Sequence, residues 1–364
     1  MDQIPPAKPV MDDEMIEAAA SALRNERLVM GESVFKFEEA FAKFVGVKNA
    51  ISLSSGTDAL IMALLAMDCA GGEIVTSSFS FIATANSIVH ASGIPVFHDV
   101  KSGDFNLDAD GLAKVVTKRT RGIMPVHIFG HPCDMNAIND LAEERGVLVI
   151  EDACQAHGAT YRGRKTGSLG HIGCFSFYPT KNMTVGGDGG MVTTNDDDLA
   201  KSVAKFRDCG RVSRYLHDVV GYTSRLNTAN AAIGLVQLNR LEQWNDHRRN
   251  LAERYNMKLK DVEGVSLPPM ADKDKNPVYH LYVIRTKKRD ELANHLTNAG
   301  IVTAVHYPTP IHLQPVYTAR YGYKEGAFPV SELLSKNVLS LPMFPSMTNE
   351  QVDRVCETII NFFC

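Results

Sequence analysis

Lys181 is the residue whose setting in the sequence most directly indicates chemistry. It follows the apolar run Cys174–Phe177 and precedes the glycine-rich stretch Gly186–Gly190. A short strand and a tight return are therefore expected to enclose it. An amine held in such a place has a lowered pKa and attacks carbonyl groups, which is the Schiff-base chemistry of pyridoxal phosphate (PLP). A lysine beside a loop is more often a solvated surface residue, so the interpretation of Lys181 as a reactive amine depends on the other motifs of the sequence.

A phosphate site is indicated where Ser55, Gly56 and Thr57 follow a predicted strand and open a predicted helix. The unpaired N–H groups and positive dipole at a helix start attract a dianion, and a glycine allows close approach. Ser176, shortly before Lys181, offers a further hydroxyl donor. An ordinary helix cap explains Ser55 or Thr57 equally well, so this motif alone leaves both interpretations open.

Asp152 comes directly after the apolar run 147–151, at the carboxyl end of a predicted central strand. A carboxylate buried there needs a cation or a strong donor. The pyridinium N–H of PLP is such a partner, because a protonated ring nitrogen keeps the ring an electron sink. Gln155, one turn later, is placed to contact the phenolic oxygen of the ring. Asp152 as the cap of a following helix remains an alternative.

Phe81 follows another predicted strand and is placed to stack on a planar ring, although a lone phenylalanine is more often part of the core. Together, the segments around Gly56, Phe81, Asp152 and Lys181 follow four different strands. Ligands of parallel sheets gather at the carboxyl ends of the strands, so we expect these four segments to converge on one molecule.

The elements that must position these residues are short β-branched runs that alternate with helical patterns. Several runs are apolar throughout, which predicts an α/β fold with a mostly parallel seven-stranded sheet buried between helices. A long helix is predicted over residues 228–260, followed by a polar segment and a smaller C-terminal α/β unit. We expect a large PLP-binding domain over residues 1–240 and a small domain over 241–364. The predicted strands cover residues 49–53, 73–77, 94–98, 122–126, 147–151, 174–177 and 191–194.

Composition limits the partners and the compartment. The 364 residues carry a net charge of −4, without the basic footprint that nucleic acid or an anionic membrane would select. No apolar stretch is long enough to span a bilayer, and residues 1–6 lack the basic and apolar regions of a signal peptide, so a cytoplasmic protein is expected. The seven cysteines are scattered without metal-ligand or redox spacing, and no metal site is expected.

In combination these motifs resemble the DegT/DnrJ/EryC1/StrS family of PLP-dependent sugar aminotransferases. The resemblance is carried by Ser-Ser-Gly-Thr-Asp-Ala-Leu at 54–60, Glu-Asp-Ala-Cys-Gln-Ala-His-Gly at 151–158 and Cys-Phe-Ser-Phe-Tyr-Pro-Thr-Lys-Asn at 174–182. It extends from Gly31 and Phe37-Glu38-Glu39 to His306-Tyr307-Pro308 and Ser340-Leu341-Pro342-Met343. It implies an aspartate-aminotransferase-like fold of type I and a homodimer with shared active sites.

Residue by residue, the resemblance makes Lys181 the lysine that carries the cofactor and Asp152 the partner of the ring nitrogen. It further implies that Arg225, His306 and Tyr307 border the sugar site, with Arg225 supplied by the second subunit. An intersubunit ion pair for Arg225 and a packing role for His306 in its loop remain alternatives. Two positions depart from the family pattern: His171 replaces a small or acidic residue, and Thr223 replaces an asparagine that contacts the partner's phosphate group. The residues expected to hold the cofactor are Gly56, Thr57, Phe81, Asp152, Gln155, Ser176 and Lys181.

The predicted function is transfer of an amino group from an amino acid, by resemblance glutamate, to the keto group of a nucleotide-linked sugar. Two alternative functions are a sugar dehydratase and a PLP-binding regulatory protein. Sugar dehydration on this scaffold goes with histidine in place of the lysine, whereas this chain has Lys181. A PLP-binding regulatory protein would carry an added DNA-binding segment, and residues 1–30 contain only one short helical pattern.

Overall fold

The computed structural model describes residues 3–364, and its centre is a seven-stranded sheet. Residues 1 and 2, part of the segment 1–6 that is expected not to be a signal peptide, lie outside the described residues. Because successive side chains of a strand point to opposite faces, the side chains of the sheet pack into two apolar layers, one on each face. The strands are β1 (Asn49–Leu53), β2 (Glu73–Ser77), β3 (Ile94–His98), β4 (Thr120–Met124), β5 (Leu148–Asp152), β6 (Thr160–Tyr161), β7 (Arg164–Lys165), β8 (Ile172–Ser176), β9 (Gly190–Thr194), β10 (Lys275–Asn276), β11 (Tyr282–Arg285) and β12 (Val338–Leu341).

Helices connect the strands and cover both faces of the sheet. Three short 3₁₀ turns, at 109–114, 128–130 and 311–313, complete the regular structure. The α-helices are α1 (Asp13–Asn25), α2 (Glu32–Val45), α3 (Gly56–Ala66), α4 (Ala83–His90), α5 (Met135–Arg145), α6 (Asp197–Arg207), α7 (Thr228–Leu259), α8 (Arg289–Asn298), α9 (Pro315–Tyr321), α10 (Pro329–Asn337) and α11 (Asn349–Phe363).

The strand order across the central sheet is β1-β9-β8-β5-β4-β2-β3. Strand β9 runs antiparallel to both of its neighbours, and the other pairings are parallel. The carboxyl ends of β1, β2, β4, β5 and β8 therefore meet at one edge, as the sequence predicts. The seven predicted runs correspond to these seven strands, with ends that differ by up to two residues.

The two faces of the sheet are covered by different helices. On β8, Cys174 packs toward the cluster around α3, whereas its neighbour Phe175 packs into the aromatic cluster of α2. Helix α3 is apolar on nearly every side because it lies between the sheet and helices α4 and α6. Such all-round burial fixes the start of α3 firmly against the sheet.

The C-terminal unit has its own core beneath the antiparallel pair β11 and β12. Helix α7 supplies Leu251 and Tyr255 to that core, although the helix begins beside the large sheet. The predicted boundary between residues 240 and 241 falls inside α7, which continues without a break. Ile4 also belongs to the C-terminal core, where it forms a parallel bridge with Ile301.

No helix between residues 3 and 364 is both long and apolar enough to cross a bilayer. Within the same residues, His, Cys, Asp and Glu side chains form no group of three or more that could hold a metal ion.

Candidate active site

A cavity of about 410 Å³ opens at the carboxyl ends of the parallel strands. Its walls come from the segments that follow β1, β2, β5 and β8, together with two segments of the C-terminal unit. Nine of the ten predicted site residues line this one cavity. They are Gly56, Thr57, Phe81, Asp152, Gln155, Ser176, Lys181, His306 and Tyr307.

Lys181 lies on the cavity wall in a turn that leaves β8. The turn is closed by the Lys181 N–H, which donates to the carbonyl of Tyr178 at 2.8 Å. Burial lowers the pKa of the Lys181 amine below its ordinary value, and nearby Cys154 and Asp152 offset part of that effect. A lysine in this state loses its proton more readily and becomes a better nucleophile.

One end of the cavity is formed by the first turn of α3 and the end of β8. The Ser55 side chain caps α3 by accepting the Asp58 N–H at 3.1 Å. A Cβ atom on Gly56 would lie only 2.5 Å from the Cβ of Ser176, so only glycine permits this approach. The helix start and the hydroxyl groups of Thr57 and Ser176 thereby share one small space, which suits an anion.

Asp152 marks another part of the cavity and is 4% exposed. Its two carboxylate oxygens accept different donors: the Thr84 hydroxyl at 2.8 Å and the Cys154 N–H at 3.2 Å. No lysine or arginine within residues 3–364 forms a salt bridge with it. A buried carboxylate held in this way retains acceptor capacity for a cationic donor in the cavity.

Gln155 has an orientation that its neighbours dictate. Its Oε1 accepts the Phe129 N–H at 2.8 Å, so its amide nitrogen donates to the Tyr307 hydroxyl at 3.2 Å and faces the cavity. Phe81 and Tyr307 flank the same space with ring centroids 6.0 Å apart. Phe81 remains 55% exposed, as an aromatic that covers a ligand rather than the core would be.

These features fit pyridoxal phosphate. An anion cradle, an amine of lowered pKa, an oriented amide donor and a buried carboxylate are each present once around the cavity. They match the phosphate, aldehyde, phenolic oxygen and ring nitrogen of that cofactor. The residue assignments nevertheless stay predictions.

The histidines of the cavity are uncharged near neutral pH. Burial lowers the pKa of His306 to about 4, with the charge of Lys181 adding to the effect, and Nδ1 of His306 lies 2.8 Å from the Ser340 hydroxyl. Burial also lowers the pKa of His280 well below its ordinary value. Tyr307 keeps its proton because burial raises its pKa. The wall formed by His280, His306 and Tyr307 is therefore polar without being cationic.

Arg225 is the predicted site residue that does not line the cavity. Its guanidinium forms an ion pair with Asp208 of the same chain. Thr223, one of the two departures from the family pattern, contacts the Cys209 sulfur at 3.2 Å in the same region. His171, the other departure, accepts the Val149 N–H at 3.0 Å beside β5 and stays outside the cavity.

Comparison with known proteins identifies the family. The DegT/DnrJ/EryC1/StrS aminotransferase family matches residues 9–360. The chain belongs to this aminotransferase family. The predicted family, the type I fold and the aminotransferase activity are thus confirmed.

Relatives of this aminotransferase carry several kinds of name. The "pleiotropic regulatory protein" of Geobacillus stearothermophilus is 42% identical over 352 residues, which cover 96% of this chain and 94% of that protein. The "dTDP-3-amino-3,4,6-trideoxy-alpha-D-glucose transaminase" of Streptomyces venezuelae is 38% identical over 343 residues, covering 94% and 90%. The crystal structure of DesV from S. venezuelae, in complex with a ketimine intermediate, superposes with a TM-score of 0.95 at 36% identity, covering 100% and 99%.

Several cavity residues of this aminotransferase escape sequence reasoning. Thr84 lies near the predicted Phe81, yet nothing local indicates that its hydroxyl reaches Asp152, 68 residues away. His280 opens the short, mainly apolar run 280–284, whose pattern indicates a strand and no site. A polar residue at the start of an apolar run was the available signal, but it has many structural explanations.

Proposed function

We propose that this aminotransferase moves an amino group from an amino acid, with glutamate as the expected donor, to the keto group of a nucleotide-linked sugar. The observation that carries the proposal is the convergence of Lys181, Asp152 and the Gly56–Ser176 contact on one cavity in a chain of this family. The name of the 38% identical transaminase from S. venezuelae supports a nucleotide-sugar substrate. Synthesis of amino sugars for polysaccharides or other glycans is the corresponding process.

The residues that would hold PLP divide along the cavity. The start of α3, with Thr57 and Ser176, would bind the phosphate, and Gln155 would donate to the phenolic oxygen. Asp152 would accept the ring N–H while Phe81 covers the ring. When bound there, PLP supplies an electron sink that stabilises negative charge at the α-carbon of an amino acid.

Lys181 has two tasks in this scheme. Its amine would hold the cofactor covalently between turnovers, which the lowered pKa favours. Once the amino donor has displaced it, the freed amine would act as the general base that takes the proton from the α-carbon of the donor. Two half-reactions share one site, so ping-pong kinetics are expected.

The acceptor would lie toward His306 and Tyr307, on the wall that the C-terminal unit contributes. A neutral imidazole and a phenol offer hydrogen bonds to sugar hydroxyls. Arg225 of a second subunit is proposed as an anion-binding group, because a guanidinium can engage a carboxylate or phosphate through two parallel hydrogen bonds.

The homodimer is part of the proposal. Large apolar side chains of the segment 212–222 are exposed, including Tyr215 at 82% and Val220 at 91%. A second copy of the chain would remove this surface from water. Phe81 and Tyr178 at the cavity are also more than half exposed. We propose a cytoplasmic enzyme with two shared sites.

The two rival functions remain less well supported. Lys181 argues against dehydration, which on this scaffold goes with histidine at that position. A regulatory role has the name of the G. stearothermophilus relative in its favour. A PLP-binding regulatory protein would also use an amine such as Lys181 to hold the cofactor, so the argument for catalysis is the match of residues 9–360 to an aminotransferase family.

The deciding experiment is chemical labelling of Lys181. Borohydride reduction of the PLP-loaded protein, followed by peptide mass spectrometry, should place phosphopyridoxyl on Lys181, and Lys181→Ala should bind PLP without turnover. Label on another lysine would contradict the assignment. Incubation with glutamate and a panel of nucleotide-linked ketosugars then identifies the acceptor by its aminated product.

A further inference from the structure

A chain of three buried side chains ends at Asp152. Ser80, Thr84 and Asp152 are 3%, 1% and 4% exposed. The Thr84 hydroxyl lies 2.8 Å from Oδ2 of Asp152, and the Ser80 hydroxyl lies 2.9 Å from that of Thr84. All three residues line the proposed cofactor cavity.

The direction of these hydrogen bonds follows from counting protons. An ionised carboxylate can only accept, so the single hydroxyl proton of Thr84 points to Asp152. Ser80 must then donate to the Thr84 oxygen. The resulting relay runs from Ser80 through Thr84 to one carboxylate oxygen, while the Cys154 N–H holds the other oxygen at 3.2 Å.

Local capping does not explain the contact. Threonine near a helix start normally binds a backbone N–H of its own first turn. Thr84 instead reaches a carboxylate 68 residues away, and it is Ser87 whose hydroxyl bonds locally, to the Thr84 carbonyl at 2.8 Å. Since a carboxylate rotates readily about its terminal torsion, two donors on two oxygens define its plane.

The same turn also carries the predicted ring-stacking residue. Phe81 lies between Ser80 and Thr84, two residues before α4 begins, and lines the cavity. Phe81 is predicted to contact the ring face, and Asp152 is predicted to contact the ring nitrogen. The segment 80–84 links the two, because it contains Phe81 and its Thr84 hydroxyl donates to Asp152. A shift of this turn would move both contacts together.

We propose that Thr84, oriented by Ser80, is a positioning residue that holds the Asp152 carboxylate in the plane from which it accepts the ring N–H of PLP. The inference rests on the proposed function and adds a residue that acts through Asp152. Removal of the hydroxyl frees the carboxylate to rotate, which weakens its bond to the ring nitrogen and leaves a buried acceptor unsatisfied.

The test compares Thr84→Val, which keeps the shape and removes the hydroxyl, with Thr84→Ser, which keeps the hydroxyl. Thr76→Val is the matched control, because Thr76 is also fully buried and its hydroxyl donates at 2.8 Å to the Met124 carbonyl, away from the cavity. The dissociation constant for PLP is measured by absorbance, and the glutamate half-reaction by stopped flow at saturating PLP. Thr84→Val should raise the dissociation constant about tenfold and slow the half-reaction similarly. Thr84→Ser should stay within about threefold of wild type, and Thr76→Val should leave both unchanged.

A double-mutant cycle separates positioning from general structure. In an Asp152→Asn background, Thr84→Val should change the PLP dissociation constant by less than about twofold, because its effect passes through the carboxylate. The inference would be overturned if Thr84→Val weakened PLP binding equally in both backgrounds, or if it bound PLP as tightly as the wild type. In either case, PLP uptake by the wild-type protein would leave the proposed function supported. If the wild-type protein takes up no PLP, the proposed function fails and the inference fails with it. Thermal unfolding of each apo variant identifies loss of fold, and Ser80→Ala, expected to act in the same direction, replaces any variant that does not fold.

Discussion

Asp152 is a buried carboxylate whose two polar contacts, with Thr84 and the Cys154 N–H, leave its negative charge uncompensated by any salt bridge within residues 3–364. Taking a lone carboxylate out of water costs several kcal/mol. Its two hydrogen bonds and the nearby charge of Lys181 offset part of that cost, and a cationic donor bound beside it would offset more. Asp152 thus destabilises the protein without PLP and would stabilise the complex with PLP, which is typical of a functional group.

Replacement of Asp152 by asparagine tests its electronic role. Asp152→Asn keeps the shape and removes the charge, so the ring nitrogen loses the partner that keeps it protonated. Turnover at saturating PLP should fall by more than about tenfold, or about 1.4 kcal/mol of barrier. Steady-state kinetics at several PLP concentrations provide the measurement. Unchanged turnover would mean that Asp152 serves only as a cap.

At the scale of elements, the contact between the start of α3 and the end of β8 determines how closely their backbones can approach the proposed phosphate. Gly56→Ala would force the new Cβ against Ser176, and both backbones would have to separate. We expect a loss of about 1–3 kcal/mol in the free energy of unfolding and at least about tenfold weaker PLP binding. Gly103→Ala is the control, because a Cβ on Gly103 meets nothing within 4 Å. Equal PLP affinity of the two variants would remove Gly56 from the proposed phosphate site.

The segment that carries Arg225 makes a separate prediction about the acceptor. Arg225→Lys should raise KM for the nucleotide sugar, or lower kcat/KM, and leave the glutamate half-reaction intact, because lysine cannot form the two parallel hydrogen bonds. Asp208→Asn is the companion variant, since Asp208 is the ion-pair partner of Arg225. If Arg225→Lys changes both half-reactions equally or neither, Arg225 is no acceptor contact.

At the scale of the whole molecule, the buried His157 makes the free energy of unfolding depend on pH in acid. Burial, aided by the charge of Lys181, lowers the pKa of His157 to about 3, against about 6.5 in the unfolded chain. The unfolded chain therefore binds more protons between these values. The contribution of His157 to stability is present above pH 6.5 and is lost as the pH falls toward 3.

His157→Phe should reduce the acid sensitivity of the apo protein. The ring of His157 packs 5.3 Å from that of Phe175 and 5.7 Å from that of Phe177, so an aromatic replacement suits the site. Between pH 6 and 4 the slope of the unfolding free energy should decrease by about 1.4 kcal/mol per pH unit. Urea titrations at several pH values measure it. Parallel curves for variant and wild type would show that His157 titrates normally.

How much the sequence predicts depends on how far apart interacting residues lie. Strand β5 is buried at four of its five positions and begins with three apolar residues, and the sequence predicts its ends to within one residue. The two-residue strands β6, β7 and β10 have no hydrophobic period, so only their tertiary pairing defines them. In the same way, Asp152 follows from its position after a strand, whereas its bond to Thr84 depends on two chain segments meeting in space.

The bridge between Ile4 and Ile301 has a consequence for synthesis on the ribosome. Ile4 donates its N–H to Gly300 and accepts from Val302, both at 2.9 Å, and its side chain lies in the core that α11 completes. The nascent chain must therefore keep this segment unpaired until residues 300–302 have been synthesised. The large sheet can fold earlier, because β1–β9 are complete by residue 194. We expect the C-terminal unit to fold after the large sheet, once α11 has been synthesised.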